Sequence, residues 1–187
     1  MLRARPLAVL TTVLLLLAGG PFAPVPGGGD GAPGVSAAQA QTGKRGRVTG
    51  LPIPRFVSLR PDAVNLRTGP GLRYPIEWVY KRAGMPVEVI GEYGTWRQLR
   101  DWQGDTGWVH QVMLQADRTA RIVGEAPRPL VAEPSPDAAV VARLQPGVIA
   151  DLQRCESRWC RLSAAGHTGW IRREAFYGVY PGETVAD

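Results

Sequence analysis

Short stretches in which apolar and polar residues alternate dominate the chain from residue 56 onward. Two of them lie at 87–90 and 96–100. In the first, Val87 and Val89 alternate with Glu88 and Ile90; in the second, Trp96, Gln98 and Arg100 alternate with Arg97 and Leu99. A period of two is the signature of a β-strand with one face on a core. Turn-forming residues at 93–95 and 101–105 separate these strands from each other and from the next apolar run at 106–109. The pattern predicts short strands joined by tight turns, and 23 Gly and 17 Pro favour this over long helices.

An internal repeat organises this pattern. Residues 104–109 (GDTGWV) recur as residues 166–171 (GHTGWI). Further anchors keep nearly the same spacing upstream, namely Trp96 with Trp159 and Gly84 with Gly147. We therefore expect two tandem all-β units of about 60 residues, each a small barrel that is marginal alone and gains stability by packing on the other.

The N-terminal region has the pattern of an export signal. Arg3 and Arg5 precede an apolar run at 7–18 that is shorter than the about 20 residues of a membrane-spanning helix. Ala38-Gln39-Ala40 supplies a small-x-small cleavage pattern, so the mature chain is expected to begin near Gln41 without a membrane span; an uncleaved anchor is the alternative. The predicted organisation is a leader at 1–40, a linker at 41–55, a first barrel at 56–116, a linker at 117–128, a second and divergent barrel at 129–180 and a tail at 181–187.

Charge and cysteine content fit an exported protein. The formal net charge is +6, and it is about +5 once residues 1–40 are removed. Such a field favours anionic partners or serves solubility. Cys155 and Cys160 are the only cysteines, and an even count in an exported chain predicts a disulfide across the turn between two strands of the second unit. Periplasmic and secreted locations both fit.

Residues 63–71 (AVNLRTGPG), Trp96 and residues 107–109 (GWV) carry a family resemblance. They resemble the N-[VL]-R-x-G-P opening and the W…GW[VI] ending of the bacterial SH3 (SH3b) family. The resemblance spans roughly residues 56–114, with a weaker second copy from about 129 to 177 that lacks the Asn-x-Arg element. It implies five or six strands in a compact barrel and a binding or targeting role rather than an enzyme.

The candidate ligand residues are those of the first unit that have no counterpart of the same type in the second. Trp78 and Trp102 with Tyr74 and Tyr80 could line an aromatic groove for glycan or extended peptide, or they could fill core gaps. Asn65 and Arg67 are further candidates, although both residue types also stabilise loops. The complete candidate set is Asn65, Arg67, Tyr74, Trp78 and Trp102.

A second set of residues recurs, or lies in turns, in a way that indicates a structural role. The recurring tryptophans are expected to pack the two cores, and Gly69 and Gly71 around Pro70 would permit a sharp turn with positive φ. The predicted core and turn residues are Gly69, Pro70, Trp96, Gly107, Trp108, Trp159, Gly169 and Trp170.

Catalysis has little support in the residue inventory. The chain has two histidines, His110 and His167, neither in a metal-binding spacing, and no cofactor or metal is expected. The alternative to a binding module is a cell-wall hydrolase, or its accessory subunit, with Cys155 as nucleophile and His167 as base. A pI of about 9.9 would suit nucleic-acid binding, but export removes that partner. The expected partner is peptidoglycan or an envelope protein.

Overall fold

Seven strand segments form the first sheet. The computed structural model describes residues 44–186, so the leader at 1–40 and the cleavage site before Gln41 lie outside the described residues. A single 3-10 turn, Gln111–Met113, lies between the sixth and seventh strands. The strands are β1 (Arg55–Leu59), β2 (Val64–Arg67), β3 (Ile76–Tyr80), β4 (Pro86–Tyr93), β5 (Trp96–Arg100), β6 (Thr106–His110) and β7 (Leu114–Gln115).

The second sheet repeats this series. Its 3-10 turn, Arg173–Ala175, again lies between the sixth and seventh strands. The strands are β8 (Thr119–Ile122), β9 (Arg128–Val131), β10 (Val140–Leu144), β11 (Ile149–Glu156), β12 (Trp159–Ala164), β13 (His167–Arg172) and β14 (Phe176–Tyr177). The all-β architecture with two tandem units is confirmed.

The two sheets have the same topology. Neighbouring strands run in the order β3-β2-β6-β5-β4-β1-β7 in the first and β10-β9-β13-β12-β11-β8-β14 in the second, and every pairing is antiparallel. Each strand of the first sheet therefore corresponds to the strand of the second sheet whose number is seven higher, for example β1 to β8. Each unit has seven strand segments rather than the expected five or six. The count is higher because it includes the closing strands β7 and β14, which are only two residues long.

The recurring glycines let adjacent strands approach closely. A Cβ on Gly107 would lie 2.5 Å from Cγ of Leu66 and 3.0 Å from the carbonyl oxygen of Arg67. A Cβ on Gly169 would lie 2.6 Å from the carbonyl oxygen of Val131. Any larger residue would push β6 from β2, or β13 from β9, so the repeated glycine maintains the closure of each barrel.

The recurring tryptophans do not form the cores, contrary to the sequence-based expectation. Buried aliphatic residues such as Leu99 and Val109 fill the first core, and Leu162 and Ile171 fill the second. Alternation along the same strands places every recurring tryptophan on the opposite face, where all are half-buried. These residues are Trp96, Trp108, Trp159 and Trp170.

Segments predicted to be linkers take part in the fold. Strand β8 lies inside the predicted linker 117–128 and pairs with β11. Within the segment 44–55, the backbone N–H groups of Val48 and Thr49 donate to Oε2 of Glu92 at 3.1 and 3.0 Å. In the predicted tail, Val185 exchanges backbone hydrogen bonds with Cys155. These pairings give backbone N–H and C=O groups hydrogen-bond partners within the protein, whereas in a free linker those groups would bind water.

The two barrels pack against each other within one compact unit. Phe56 of the first barrel lies 4.7 Å from Tyr180 and 5.0 Å from Tyr177, measured between ring centroids. Oγ1 of Thr119 donates a 2.7 Å hydrogen bond to the carbonyl oxygen of Gly84. Ile149 of β11 packs against the core of the first barrel. Mutual packing is therefore part of how these two small domains are stabilised.

Candidate ligand cleft

A cleft of about 450 Å³ opens at the edge of the first barrel beside β3. The residues that line it include one aromatic, one aliphatic and two acidic residues. Trp78 is the most prominent member, because 58 % of its surface is exposed. The lining residues are Leu66, Glu77, Trp78, Gly104, Asp105 and Thr106.

Strand pairing places Trp78 in this cleft. Trp78 lies opposite Leu66 in the β2–β3 pair, so both side chains are on the same side of the strands. Leu66 is buried in the core, whereas β3 is the last strand at its edge of the sheet. The ring of Trp78 therefore lies next to the buried Leu66 and presents an apolar surface to solvent.

The opposite wall of the cleft is a turn held rigid by Asp101. Oδ1 of Asp101 accepts hydrogen bonds from the backbone N–H of Gln103 at 2.9 Å and of Asp105 at 3.0 Å. Oδ2 accepts a 3.1 Å hydrogen bond from the hydroxyl of Tyr80. Burial, together with the charge of Asp101, raises the pKa of Tyr80 well above its usual range. The phenol therefore remains a donor, and this buried pair fixes the position of Asp105.

Arg67 and Tyr74, two of the predicted ligand residues, stabilise the loop between β2 and β3. Nη1 of Arg67 donates to the carbonyl oxygens of Leu72 at 3.2 Å and Tyr74 at 2.8 Å. The ring of Tyr74 lies against Gly69, where a Cβ would approach it to 2.5 Å. Gly69 is thus required for this close contact, and neither it nor Gly71 adopts the expected positive φ. Asn65 is exposed on β2 outside the lining of the cleft.

Trp102, the remaining candidate, does not line the cleft with Trp78. It is half-buried, packs against the first core, and has the guanidinium of Arg121 4.0 Å from its ring centroid. Tyr80 is also unavailable as a groove residue, because only 3 % of its surface is exposed. The structure therefore separates the predicted aromatic groove into one exposed tryptophan, Trp78, and side chains with structural contacts.

Two further cleft residues, Glu77 and Asp105, were missed by sequence reasoning. Asp105 belongs to the repeated segment, where its counterpart in the second unit is His167. This difference within an otherwise matching pair of segments was the available signal. The counterpart of Trp78 is Ala142, since Ala142 lies opposite Leu130 just as Trp78 lies opposite Leu66. The second barrel lacks the aromatic and acidic groups of the cleft.

The cysteine chemistry required for the hydrolase alternative is absent. Cys155 and Cys160 form a buried disulfide with an S–S distance of 2.04 Å, which confirms the predicted pairing. They face each other directly across the β11–β12 hairpin. Cys155 therefore has no free thiol that His167 could deprotonate to form a nucleophile. No group of three or more potential metal ligands is found within residues 44–186.

A model of the bacterial SH3 domain matches the chain twice, at residues 60–115 and 125–178. The chain belongs to the bacterial SH3 domain family. The first match covers β2 to β7 and the second covers β9 to β14, with β1 and β8 just before them, so each barrel corresponds to one bacterial SH3 domain. None of the helices within the described residues is long and apolar enough to span a membrane.

Comparison with individual proteins gives more distant similarity. The chain is 27 % identical over 123 residues to YrvJ of Bacillus subtilis (strain 168), which is named as an N-acetylmuramoyl-L-alanine amidase. This match covers 60 % of the chain and 24 % of YrvJ, so the chain spans about a quarter of that relative. Among solved structures, NlpC1 of Trichomonas vaginalis is 14 % identical with a TM-score of 0.31, covering 67 % of this chain and 46 % of NlpC1. NlpC2 of the same organism is 13 % identical with a TM-score of 0.32, covering 68 % and 49 %.

Proposed function

We propose that the chain is a non-catalytic binding module of the cell envelope whose first barrel recognises peptidoglycan. The difference between the two bacterial SH3 domains carries this proposal. Both domains keep the residues that build the barrel, such as Gly107 and Gly169. The first alone presents an exposed tryptophan in a cleft, where ring stacking on a wall component can supply binding energy.

The similarity to YrvJ supports peptidoglycan as the ligand. The name of that protein refers to the N-acetylmuramoyl-L-alanine linkage, which belongs to peptidoglycan. The disulfide between Cys155 and Cys160 is consistent with an oxidising compartment, the periplasm or the cell exterior. An envelope protein is the second candidate partner, and the proposed function includes no role for nucleic acid.

A co-sedimentation experiment tests the proposal. Mature chain beginning at Gln41 is incubated with purified cell wall, and the bound fraction and any released wall fragments are measured. We expect saturable binding without release of fragments. A chain that remains in the supernatant at all wall concentrations, or that releases soluble fragments, would contradict the proposal. An envelope extract tested in parallel identifies a protein partner if the wall itself does not bind.

A further inference from the structure

The cleft beside Trp78 has a charge opposite to that of the chain. The formal net charge of the protein is +6, yet the cleft lining contains two carboxylates, Glu77 and Asp105, and no basic residue. Within residues 44–186, neither carboxylate takes part in a salt bridge. The cleft therefore combines an apolar surface with two acidic residues that form no salt bridge with the described residues.

The tryptophan ring in the cleft also differs from other tryptophan rings in the same chain. Arg121 lies over the ring of Trp102 at 4.0 Å, and Arg172 lies over the ring of Trp159 at 4.6 Å. In the described part of the chain, no arginine or lysine occupies the corresponding position over Trp78. An exposed ring next to two carboxylates is a favourable environment for an external cation.

We propose that this cleft binds a primary ammonium group carried by an extended peptide. The proposal rests on the proposed function and names the part of the wall that is recognised. Glu77 and Asp105 supply the opposite charge, and the face of Trp78 contacts the ammonium or the methylene group next to it. A hydrated metal ion would need more oxygen ligands than two carboxylates supply, whereas an organic ammonium interacts with both the ring and the carboxylates.

The position of the cleft favours a peptide as the carrier of the ammonium group. The cleft adjoins β3, which is the terminal strand at one edge of the first sheet. A terminal strand presents backbone N–H and C=O groups that an extended peptide can pair with, while its side chains enter an adjacent pocket. A sugar chain cannot form this backbone ladder.

Matched peptides test the inference. The probe is an acetylated and amidated Gly-Ala-Lys-Ala peptide, and the comparison peptide carries an acetyl group on the lysine side chain. Both are titrated into the mature chain while intrinsic tryptophan fluorescence and calorimetric heat are followed at low salt, and Trp78→Phe identifies the part of the fluorescence change that comes from Trp78. We expect the free amine to bind about tenfold more tightly, since a cation–π contact and two exposed charge pairs combine. Equal affinities for the two peptides would overturn the inference.

Charge-matched variants locate the binding. We expect the Glu77→Gln, Asp105→Asn double variant to bind both peptides equally, because it keeps the cleft but removes its charge. The control is Glu133→Gln, Asp137→Asn, which removes two exposed carboxylates from the second barrel and is expected to retain the tenfold preference. Loss of the preference in the control alone would place the site elsewhere and overturn the inference.

Two further arms separate this inference from the proposed function. Purified wall is treated with acetic anhydride to acetylate its amines, and co-sedimentation is repeated. Binding that persists at full strength contradicts the ammonium inference and leaves wall recognition intact, whereas failure to bind untreated wall contradicts the proposed function. A partly deacetylated glucosamine oligomer carries the same ammonium on a sugar. Tighter binding of this oligomer than of the lysine peptide would overturn the assignment to a peptide.

Discussion

The guanidinium of Arg121, on the first strand of the second barrel, lies 4.0 Å from the ring centroid of Trp102 on a turn of the first barrel. Burial first, and the nearby Arg82 second, lower the pKa of Arg121. The same turn carries Asp105 into the cleft on the edge of the first barrel. The contact therefore supports a turn that forms one wall of the proposed ligand site.

Replacement of Trp102 by alanine is expected to lower stability rather than remove a ligand contact. Its half-buried ring packs on the first core and under Arg121, so Trp102→Ala should lower the free energy of unfolding by about 2–3 kcal/mol. Arg121→Gln removes only the cation over the ring and should cost about 0.5–1 kcal/mol. Denaturation in guanidinium chloride measures both. A Trp102→Ala chain with unchanged stability and lost wall binding would show that Trp102 is a ligand residue.

Buried phenol groups are expected to make the fold sensitive to high pH. The hydroxyl of Tyr180 donates a 2.7 Å hydrogen bond to Oε1 of Glu88 across the barrel interface. Burial, followed by this hydrogen bond, raises the pKa of Tyr180 above its usual value of about 10. The unfolded chain therefore loses this proton at a pH where the folded chain keeps it, and stability must fall as pH rises beyond about 10.

The measurement for this effect is the free energy of unfolding at pH 8 and at about pH 11. The wild-type chain should lose more stability over this interval than Tyr180→Phe, which lacks the titrating group. Tyr93→Phe, with an exposed ring, serves as the control and should behave as wild type. Identical losses in wild type and Tyr180→Phe would mean that Tyr180 is not the group responsible.

Glu92 is expected to provide acid-sensitive anchoring of the segment 45–52. Burial alone would raise its pKa, but hydrogen bonds from Thr49 and Val48 and the side chain of Arg55 together lower it to about 2. Its usual value is 4.5, so this stabilisation is fully present above about pH 4.5 and is lost as pH falls towards 2. Glu92→Gln should be less stable than wild type at pH 7, and the difference should shrink towards pH 2.

Proteolysis reports the local consequence of losing this anchor. Trypsin should cleave after Arg47 faster in Glu92→Gln than in wild type at pH 7, because the neighbouring N–H groups lose their carboxylate acceptor. Cleavage elsewhere in the barrel should be unaffected. Equal rates of cleavage after Arg47 in both proteins would rule out Glu92 as the anchor.

The disulfide is expected to stabilise the second barrel. Backbone hydrogen bonds of Cys155 point to Val185, so the pair with Cys160 is a non-hydrogen-bonded one in which the side chains approach closely. Closing so short a loop contributes about 2 kcal/mol. The Cys155→Ser, Cys160→Ser variant should lose about this amount in denaturant unfolding. An equal loss in wild-type chain that has been fully reduced, as shown by two titratable thiols, is the control, and unchanged stability of that reduced chain would contradict the prediction.

Sequence patterns predict the architecture because the repeated segments and the tight turns are each recognisable within a few consecutive residues. The segments 104–109 and 166–171 recur, and Gly94 and Gly166 both adopt the positive φ that a hairpin requires. Strand β3 was missed, since three consecutive exposed residues at its start interrupt any alternation. Strand β8 was assigned to a linker because its neighbours in the sheet lie far away in sequence.

Alternation shows that a strand has two faces without showing which face is inward. In β5 the buried residues are Arg97 and Leu99, and Trp96 lies on the other side. Arg97 can be buried because its guanidinium donates to the carbonyl oxygens of Gly94 and Trp96 and to Oε1 of Gln111. Those acceptors depend on tertiary structure, so the sequence pattern favoured the large aromatic residue as the core. Asp105 lies far from Trp78 in sequence, so only the fold brings the two together, whereas Glu77 adjoins Trp78 on a strand that the sequence pattern does not predict.

Wall binding by Trp78→Ala and Tyr93→Ala tests the central claim most directly. Both residues are exposed aromatics of the first barrel, 58 % and 65 % exposed, and only Trp78 lines the cleft. In co-sedimentation with purified cell wall, Trp78→Ala is expected to weaken binding by about 1–3 kcal/mol with an unchanged free energy of unfolding. Tyr93→Ala should bind as wild type does. Wild-type affinity in Trp78→Ala, with the second barrel carrying the binding, would contradict recognition by the first barrel.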